Sequence, residues 1–299
     1  MQLFGKNIDI KYLITGFSFK RVAKVLFYFL AVATLIMICL SAWGVWSFFK
    51  EEDDWDDDYD SDYYTAESNS ADCNVTGIEL HGSLFTYLSD SDSESGEDIV
   101  SSEEIVYWIE DAEKDSTFKA ILLEVDSYGG SPVAAEEVAD ALKRAEKPTV
   151  ALIREGGVSA AYWAATGADN IFASKNSDVG SIGATMSYLD ASRKNQLDGF
   201  NYVDLSSGKF KDTGNPDKPL SAEERVLLMR DVNILHNNFI SAVAENRNLD
   251  IEKVRALADG STLLGEMALA NSLIDRIGGM FEVKEYLKEM IDEDVEICW

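Results

Sequence analysis

Two apolar runs, KAILLEVD and PTVALI, constrain the fold of this chain more than any other feature. Both are short, rich in branched aliphatics and bounded by turn-forming residues, which is the pattern of strands buried on both faces. Between them lies VAAEEVADALKRAE, whose apolar residues recur at helical spacing. Upstream, NVTGIELHGSL alternates as a first strand, and DSDSESGED reads as a loop. SSEEIVYWIEDAEKD opens on a serine cap and acids, then sets Ile105, Trp108, Ile109 and Ala112 on one helical face. Downstream, SAAYWAA begins another helix and NIFAS a short strand. This β-α-β-α-β order predicts an α/β domain with a parallel sheet flanked by helices. A helical C-terminal part follows, beginning with the Ser-x-x-Glu cap of SAEERVLLMRDVNILHNNFISAVAENR.

Ligands of such sheets bind at the carboxyl ends of the strands. Two glycine-bearing turns fall there, DSYGGS and REGGVS. Gly129 and Gly130 permit positive φ and a close backbone approach. Ser159 follows a glycine pair and precedes an alanine-rich helix start, a common presentation for a nucleophilic serine. The N–H groups of Gly130 and Ala160 then become candidates for one oxyanion site. SDVGSIGATM sets Ser181 between glycines. Taken singly, each of these elements also reads as an ordinary structural turn. Lys209 and Lys211 in SSGKFKDTGNP read, by spacing alone, as surface lysines.

A serine hydroxyl needs a base to take its proton. The chain has 2 histidines, His81 in the first strand and His236 in the long helix, and both read as structural.

Composition narrows the partners. The formal net charge of -28 excludes a nucleic-acid-binding face, which requires basic residues. Much of the acid lies in EEDDWDDDYDSD, residues 51–62, a self-repelling spacer without the glycine and spacing of a calcium loop. The 3 cysteines, Cys39, Cys73 and Cys298, form no metal-ligand motif, so neither a metal nor an organic cofactor is expected. Cys73 and Cys298 either pair in an oxidising compartment or stay free thiols, with free thiols the default reading.

VLFYFLAVATLIMICLSAWGVWSFF, Val25 to Phe49, carries no charge. As a helix it would span about 37 Å, against about 30 Å of bilayer hydrocarbon. Lys11, Lys20, Arg21 and Lys24 precede it and acids dominate beyond Lys50, so the N-terminus is expected in the cytoplasm and the rest outside. The run is too long for a cleaved signal peptide. The expected organisation is a cytoplasmic segment (1–24), a transmembrane helix (25–49), an acidic linker (50–74) and one folded domain (75–299).

The colinear run of DSYGG, GGVSAAYWAATGADNIFAS, VGSIGATM, GKFKD and GEMALANSLIDRIGG resembles the signal peptide peptidase A family over about Val75 to Leu287. That resemblance implies a Clp-protease/crotonase-like fold and a membrane-associated serine peptidase with a serine–lysine dyad. It implies Ser159 as nucleophile, Lys211 rather than Lys209 as base, Ser181 as the residue that holds the lysine, and Gly130 as oxyanion donor with Ala160 beside it. Where the family turn carries proline, this chain has Tyr128, which bears on turn shape and substrate fit. Where the family pairs glycines after the serine, this chain has alanines. The resemblance further implies a ring-like homo-oligomer such as an octamer, with each dyad shared between protomers. Expected substrates are remnant signal peptides or other short apolar segments at the membrane.

A lysine acts as base only when neutral. From a reference pKa of about 10.4 it must fall by about 3, on the order of 4 kcal/mol, which burial can supply. Asp212 opposes this, so its carboxylate is expected to point away from the Lys211 amine. Three alternatives stand beside this reading: a peptidase that cuts an intact membrane protein, an inactive oligomeric scaffold on the same fold, and a crotonase-like acyl-CoA enzyme.

Overall fold

A computed structural model describes residues 73–88 and 98–299, together with Tyr28, Val32, Thr34, Ile36 and Met37. The chain divides into two units, Met1–Ala66 and Glu67–Trp299. In the first, the five described residues are helical and exposed. The expected membrane segment 25–49 otherwise lies outside the described residues, as do segment 1–24 and the linker up to residue 72. Among the described residues no helix is long and apolar enough to cross a membrane.

The second unit contains strands β1 (Val75–Phe85), β2 (Ile99–Ser101), β3 (Ala120–Gly130), β4 (Thr149–Val158), β5 (Asn170–Ala173), β6 (Asp178–Gly180), β7 (Thr262–Leu264), β8 (Arg276–Ile277) and β9 (Ile297–Cys298). Its helices are α1 (Ser102–Lys114), α2 (Pro132–Arg144), α3 (Ala160–Ala165), α4 (Ser192–Leu197), α5 (Ala222–Asn246), α6 (Ile251–Leu257), α7 (Gly265–Ala270) and α8 (Met280–Ile291). Among the described residues the strands form one sheet in the order β2-β1-β3-β4-β5-β8, with β9 on β1, and β6 joining β4 to β7. The β6–β7 pair is antiparallel and the other pairs are parallel.

Period-two alternation explains why KAILLEVD and PTVALI are continuous apolar runs. Ile121, Leu123 and Val125 enter one core with Ala151 and Ile153, facing α1, α2, α3 and α5. Ala120 and Leu122 enter the other with Val150 and Leu152, facing Val283 and Leu287 of α8. Helix starts follow the local signals. Ser101 accepts from the Glu104 N–H at 3.1 Å. Ser221 and Glu224 cap α5 reciprocally, at 3.2 and 2.9 Å.

The two glycine stretches do not leave the sheet as turns. β3 runs on to Gly130 and β4 to Val158. Pairing survives through shifts in register, between His81 and Ser83 in β1 and between Val125 and Ser127 in β3. Such bulges increase local twist and re-aim the backbone while the ladder continues.

The free-thiol reading is overturned. Cys73 and Cys298 form a disulfide with a Cα–Cα distance of 5.8 Å. The cause is β9, which lies beside β1 and pairs Thr76 with Cys298. The Asn74 side chain donates to the Asp294 carbonyl at 2.8 Å and accepts from the Glu296 N–H at 3.1 Å. Residues 73 and 74, expected in the linker, therefore belong to the folded domain.

Candidate active site

Ser159 occupies the junction of β4 and α3 with φ 55° and ψ −129°. A non-glycine residue in this region costs on the order of 1–3 kcal/mol and persists only where its surroundings over-determine it. Here they do. The Ser159 N–H donates to the Gly180 carbonyl at 2.7 Å, and its carbonyl accepts from the Trp163 N–H at 3.0 Å. Every residue of α3 is buried. The Tyr162 hydroxyl donates to the Leu273 carbonyl at 2.8 Å, and burial pushes its ionisation upward. Trp163 stacks on Phe239 of α5, with centroids 5.1 Å apart and planes at 13°.

The end of β3 closes on the same serine. Gly129 and Gly130 adopt φ 112° and 155°. A Cβ at Gly129 would lie 2.8 Å from the Ser159 Cβ, 3.1 Å from its Oγ and 3.2 Å from the Ala160 nitrogen. A Cβ at Gly130 would lie 2.0 Å from the Leu84 carbonyl oxygen. Both positions therefore require glycine by contact as well as by φ. The buried Ser127 hydroxyl fixes this end of β3 by accepting from the Gly129 N–H at 3.1 Å. Ala160 is the first residue of α3, so its N–H has no intrahelical acceptor.

Ser181 follows β6 at φ 50°. Its N–H donates to the Ser261 carbonyl at 3.1 Å and its hydroxyl to the Gly260 carbonyl at 2.9 Å. The loop it meets is held by Asp259, whose carboxylate accepts from the Ser261 N–H at 2.9 Å and the Ser261 hydroxyl at 2.6 Å. These bonds hold the Asp259 pKa below the usual carboxylate range.

Gly130, Ser159, Ala160 and Ser181 line one cleft of about 390 Å³. The fold thus brings together four of the five site residues expected from the sequence. The cleft has further walls that the sequence reading missed: Trp163, Leu235, His236, Phe239 and Ala258. His236 has its Nε2 3.0 Å from the Ala258 carbonyl and faces the cleft. A helical spacing of Leu235, His236 and Phe239 was visible in the sequence, but nothing there linked α5 to Ser159. His81 lies elsewhere, with its Nε2 3.3 Å from Glu124, which also holds Arg154 at 2.7 Å.

Lys211 is the fifth residue and does not line the cleft. It is exposed, its N–H donates to the Gly208 carbonyl at 3.0 Å, and its amine has no ion pair among the described residues. Its neighbour Lys209 pairs with Glu223 at 2.7 Å. The Asp212 carboxylate is engaged away from Lys211: it accepts from the Asn215 amide and the Tyr202 hydroxyl at 2.9 Å each and lies 3.3 Å from the Lys218 amine. The Asn215 bond is the largest cause holding the Asp212 pKa below its usual range. Lys218 also pairs with Glu224 at 3.0 Å. Among the described residues no group of histidine, cysteine and carboxylate side chains is arranged to hold a metal ion.

A strained serine at a strand–helix junction, packed against the glycine-bearing end of β3, is the backbone presentation common to nucleophilic serines. Peptidase family S49 matches residues 141–294, and the chain belongs to that family. It is 34% identical over 184 residues to a chain described as a protease in Methanocaldococcus jannaschii, covering 61% of this chain and 59% of that one. It is 32% identical over 180 residues to an Enterococcus faecium protein named for signal peptide peptidase SppA, covering 59% and 52%. Protease 4 of Haemophilus influenzae is 26% identical over 205 residues, covering 68% and 33%. The match therefore spans 59% or less of these relatives' own lengths. A ClpP1 mutant from Listeria monocytogenes overlays with a TM-score of 0.43 at 11% identity, over 69% of this chain and 92% of that one.

Proposed function

We propose that this chain is a membrane-anchored serine endopeptidase of the signal peptide peptidase A type, on a Clp-protease/crotonase-like fold. Ser159 attacks the scissile carbonyl, Lys211 takes its proton and returns it to the leaving amine, and an acyl-enzyme forms and is hydrolysed. The N–H groups of Gly130 and Ala160 receive the oxyanion. Ser181 orients the lysine. The observation that carries this reading is Ser159 at φ 55°, held against Gly129 and opening onto the cleft that Gly130, Ala160 and Ser181 share.

The base comes from a second copy of the chain. In support, Lys211 is exposed, forms no ion pair among the described residues and lies outside the cleft of its own chain, and Asp212 is turned to Lys218. A neighbouring protomer would supply the desolvation that a neutral lysine needs. The surrounding segment exposes Leu189, Leu197, Phe200 and Leu205, at 81, 79, 69 and 94%. Apolar surface on this scale fits a subunit interface, and we take the assembly to be a ring such as an octamer.

The domain stands outside the cytoplasm, tethered by the 25–49 helix through the acidic linker. The disulfide supports this, since such bonds persist in oxidising compartments. The cleft walls Trp163, Phe239 and Ala258 suit an apolar side chain, consistent with remnant signal peptides or similar membrane-associated segments. The test is hydrolysis of a fluorogenic apolar peptide series by wild type, Ser159→Ala, Lys211→Ala and a mixture of the two variants. Both variants should be inactive, and the mixture should recover activity. Equal turnover by all forms would reject the dyad.

A further inference from the structure

A serine hydroxyl has one proton to give, and at Ser181 that proton is already spent. The hydroxyl donates to the Gly260 carbonyl at 2.9 Å, and a carbonyl can only accept. Any other polar group that reaches this oxygen meets lone pairs and must bring its own proton. The Ser181 N–H is committed to the same loop, where it donates to the Ser261 carbonyl at 3.1 Å. A Cβ at Gly183 would lie 3.2 Å from the Gly260 Cα, so the two backbones run in contact. Gly260 itself adopts φ 87°, which glycine permits.

Residues 258–261 join α6 to β7. Asp259 spends its carboxylate inside this loop, on the Ser261 N–H and hydroxyl. The loop is tied to α5 by His236, whose Nε2 lies 3.0 Å from the Ala258 carbonyl. Because that carbonyl only accepts, Nε2 carries the ring proton. Phe239, three residues after His236, stacks on Trp163 of α3, the helix that Ser159 opens. One helix therefore holds both arms of the cleft, the Ser159 arm through Phe239 and the Ser181 arm through His236.

We infer that His236 is a positioning residue for Ser181. It anchors the loop whose Gly260 carbonyl takes the Ser181 proton, and so keeps that hydroxyl an acceptor toward the lysine amine. The amine must then aim an N–H at Ser181, which leaves its lone pair for the Ser159 proton. With the anchor removed, the Gly260 carbonyl drifts and the Ser181 hydroxyl donates to the amine instead, occupying the lone pair that the reaction needs. The inference rests on the serine–lysine reading above. It gives His236 no proton transfer of its own.

His236 also lines the cleft, so a wall must be told apart from an anchor. Methionine and glutamine have side chains of similar length, and glutamine alone has an N–H to donate. The full chain is compared as wild type, His236→Met, His236→Gln, Ser181→Ala, the double variant His236→Met/Ser181→Ala, Ser159→Ala and Lys211→Ala, by kcat and KM on a fluorogenic apolar peptide. His236→Met should lower kcat about tenfold with KM unchanged, and His236→Gln should restore it. Ser181→Ala should be slow, and adding His236→Met should slow it no further, because one residue acts through the other. A second full loss in the double variant would overturn the inference by giving His236 a role independent of Ser181. Unchanged kcat in His236→Met would overturn it, as would equal losses in His236→Met and His236→Gln with circular dichroism unchanged. A rise in KM alone would make His236 a substrate wall and overturn it too. Turnover by Ser159→Ala or Lys211→Ala equal to wild type would instead overturn the serine–lysine reading itself.

Discussion

Gly129 and Ser159 touch: a single carbon added to the glycine would come within 2.8 Å of the serine Cβ and 3.1 Å of its Oγ. The end of β3 and the end of β4 therefore share one small volume, in which no side chain larger than hydrogen fits at position 129. Gly129→Ala is expected to displace Ser159 and to violate the φ of 112°. A displacement of about 1 Å at a reacting group costs on the order of 10²-fold in rate. kcat on an apolar peptide should fall by about that factor, with the secondary structure measured by circular dichroism unchanged.

Ser159 itself holds strain. Its φ of 55° costs a serine on the order of 1–3 kcal/mol, whereas glycine adopts it freely. Glycine's extra unfolded-state entropy returns roughly 0.5–1 kcal/mol of that gain. Ser159→Gly should therefore be as stable as wild type or more so, by about 1 kcal/mol, while inactive. Ser159→Ala, which keeps the strain, should show no such gain. Urea unfolding of the three forms compares them directly.

The disulfide between Cys73 and Cys298 closes nearly the whole folded unit, with a sequence separation of 225. Cross-links of this kind stabilise by about 2–4 kcal/mol, chiefly through the unfolded chain. Reduction, or Cys298→Ala, should lower stability by that amount. It should free Trp299, whose ring packs against Gly77. Tryptophan emission and urea midpoint, with and without reductant, should shift together in wild type and not in the variant.

Acid should open the segment around Lys211 before it unfolds the sheet. The Ser221 backbone and hydroxyl, then Lys218, hold the Glu224 carboxyl down at about 2, and Asn215, Tyr202 and Lys218 hold Asp212 below its ordinary range. Groups depressed in the folded state add stability that is complete above their unfolded pKa and lost as pH falls through the folded one. For Glu224 the window runs from its ordinary 4.5 down to about 2. Hydrogen exchange in residues 208–224 should rise across that window, and Glu224→Gln should flatten the response.

Long elements were legible in the sequence because each carried a local physical signal. β3 and β4 announced themselves as apolar runs buried on two faces, and α5 by its reciprocal Ser221–Glu224 cap. β2, β8 and β9 have two or three residues, too few for any periodicity, and exist only through their neighbours in the sheet. The cysteine pairing was hidden for the same reason, since β9 alone brings Cys298 to Cys73. At the site, Ser159 and its glycines were legible from backbone demands. The cleft walls were not, because Phe239 reaches the cleft only through the packing of α5 on α3, and Ala258 only through the end of α6.

The central claim is that Lys211 activates Ser159. It is tested most directly by the rate at which a fluorophosphonate acylates the full chain, read by intact mass for wild type, Ser159→Ala and Lys211→Ala. The account predicts one adduct on wild-type Ser159, none on Ser159→Ala, and labelling of Lys211→Ala slowed by 10²-fold or more. Labelling of Lys211→Ala at the wild-type rate would contradict it.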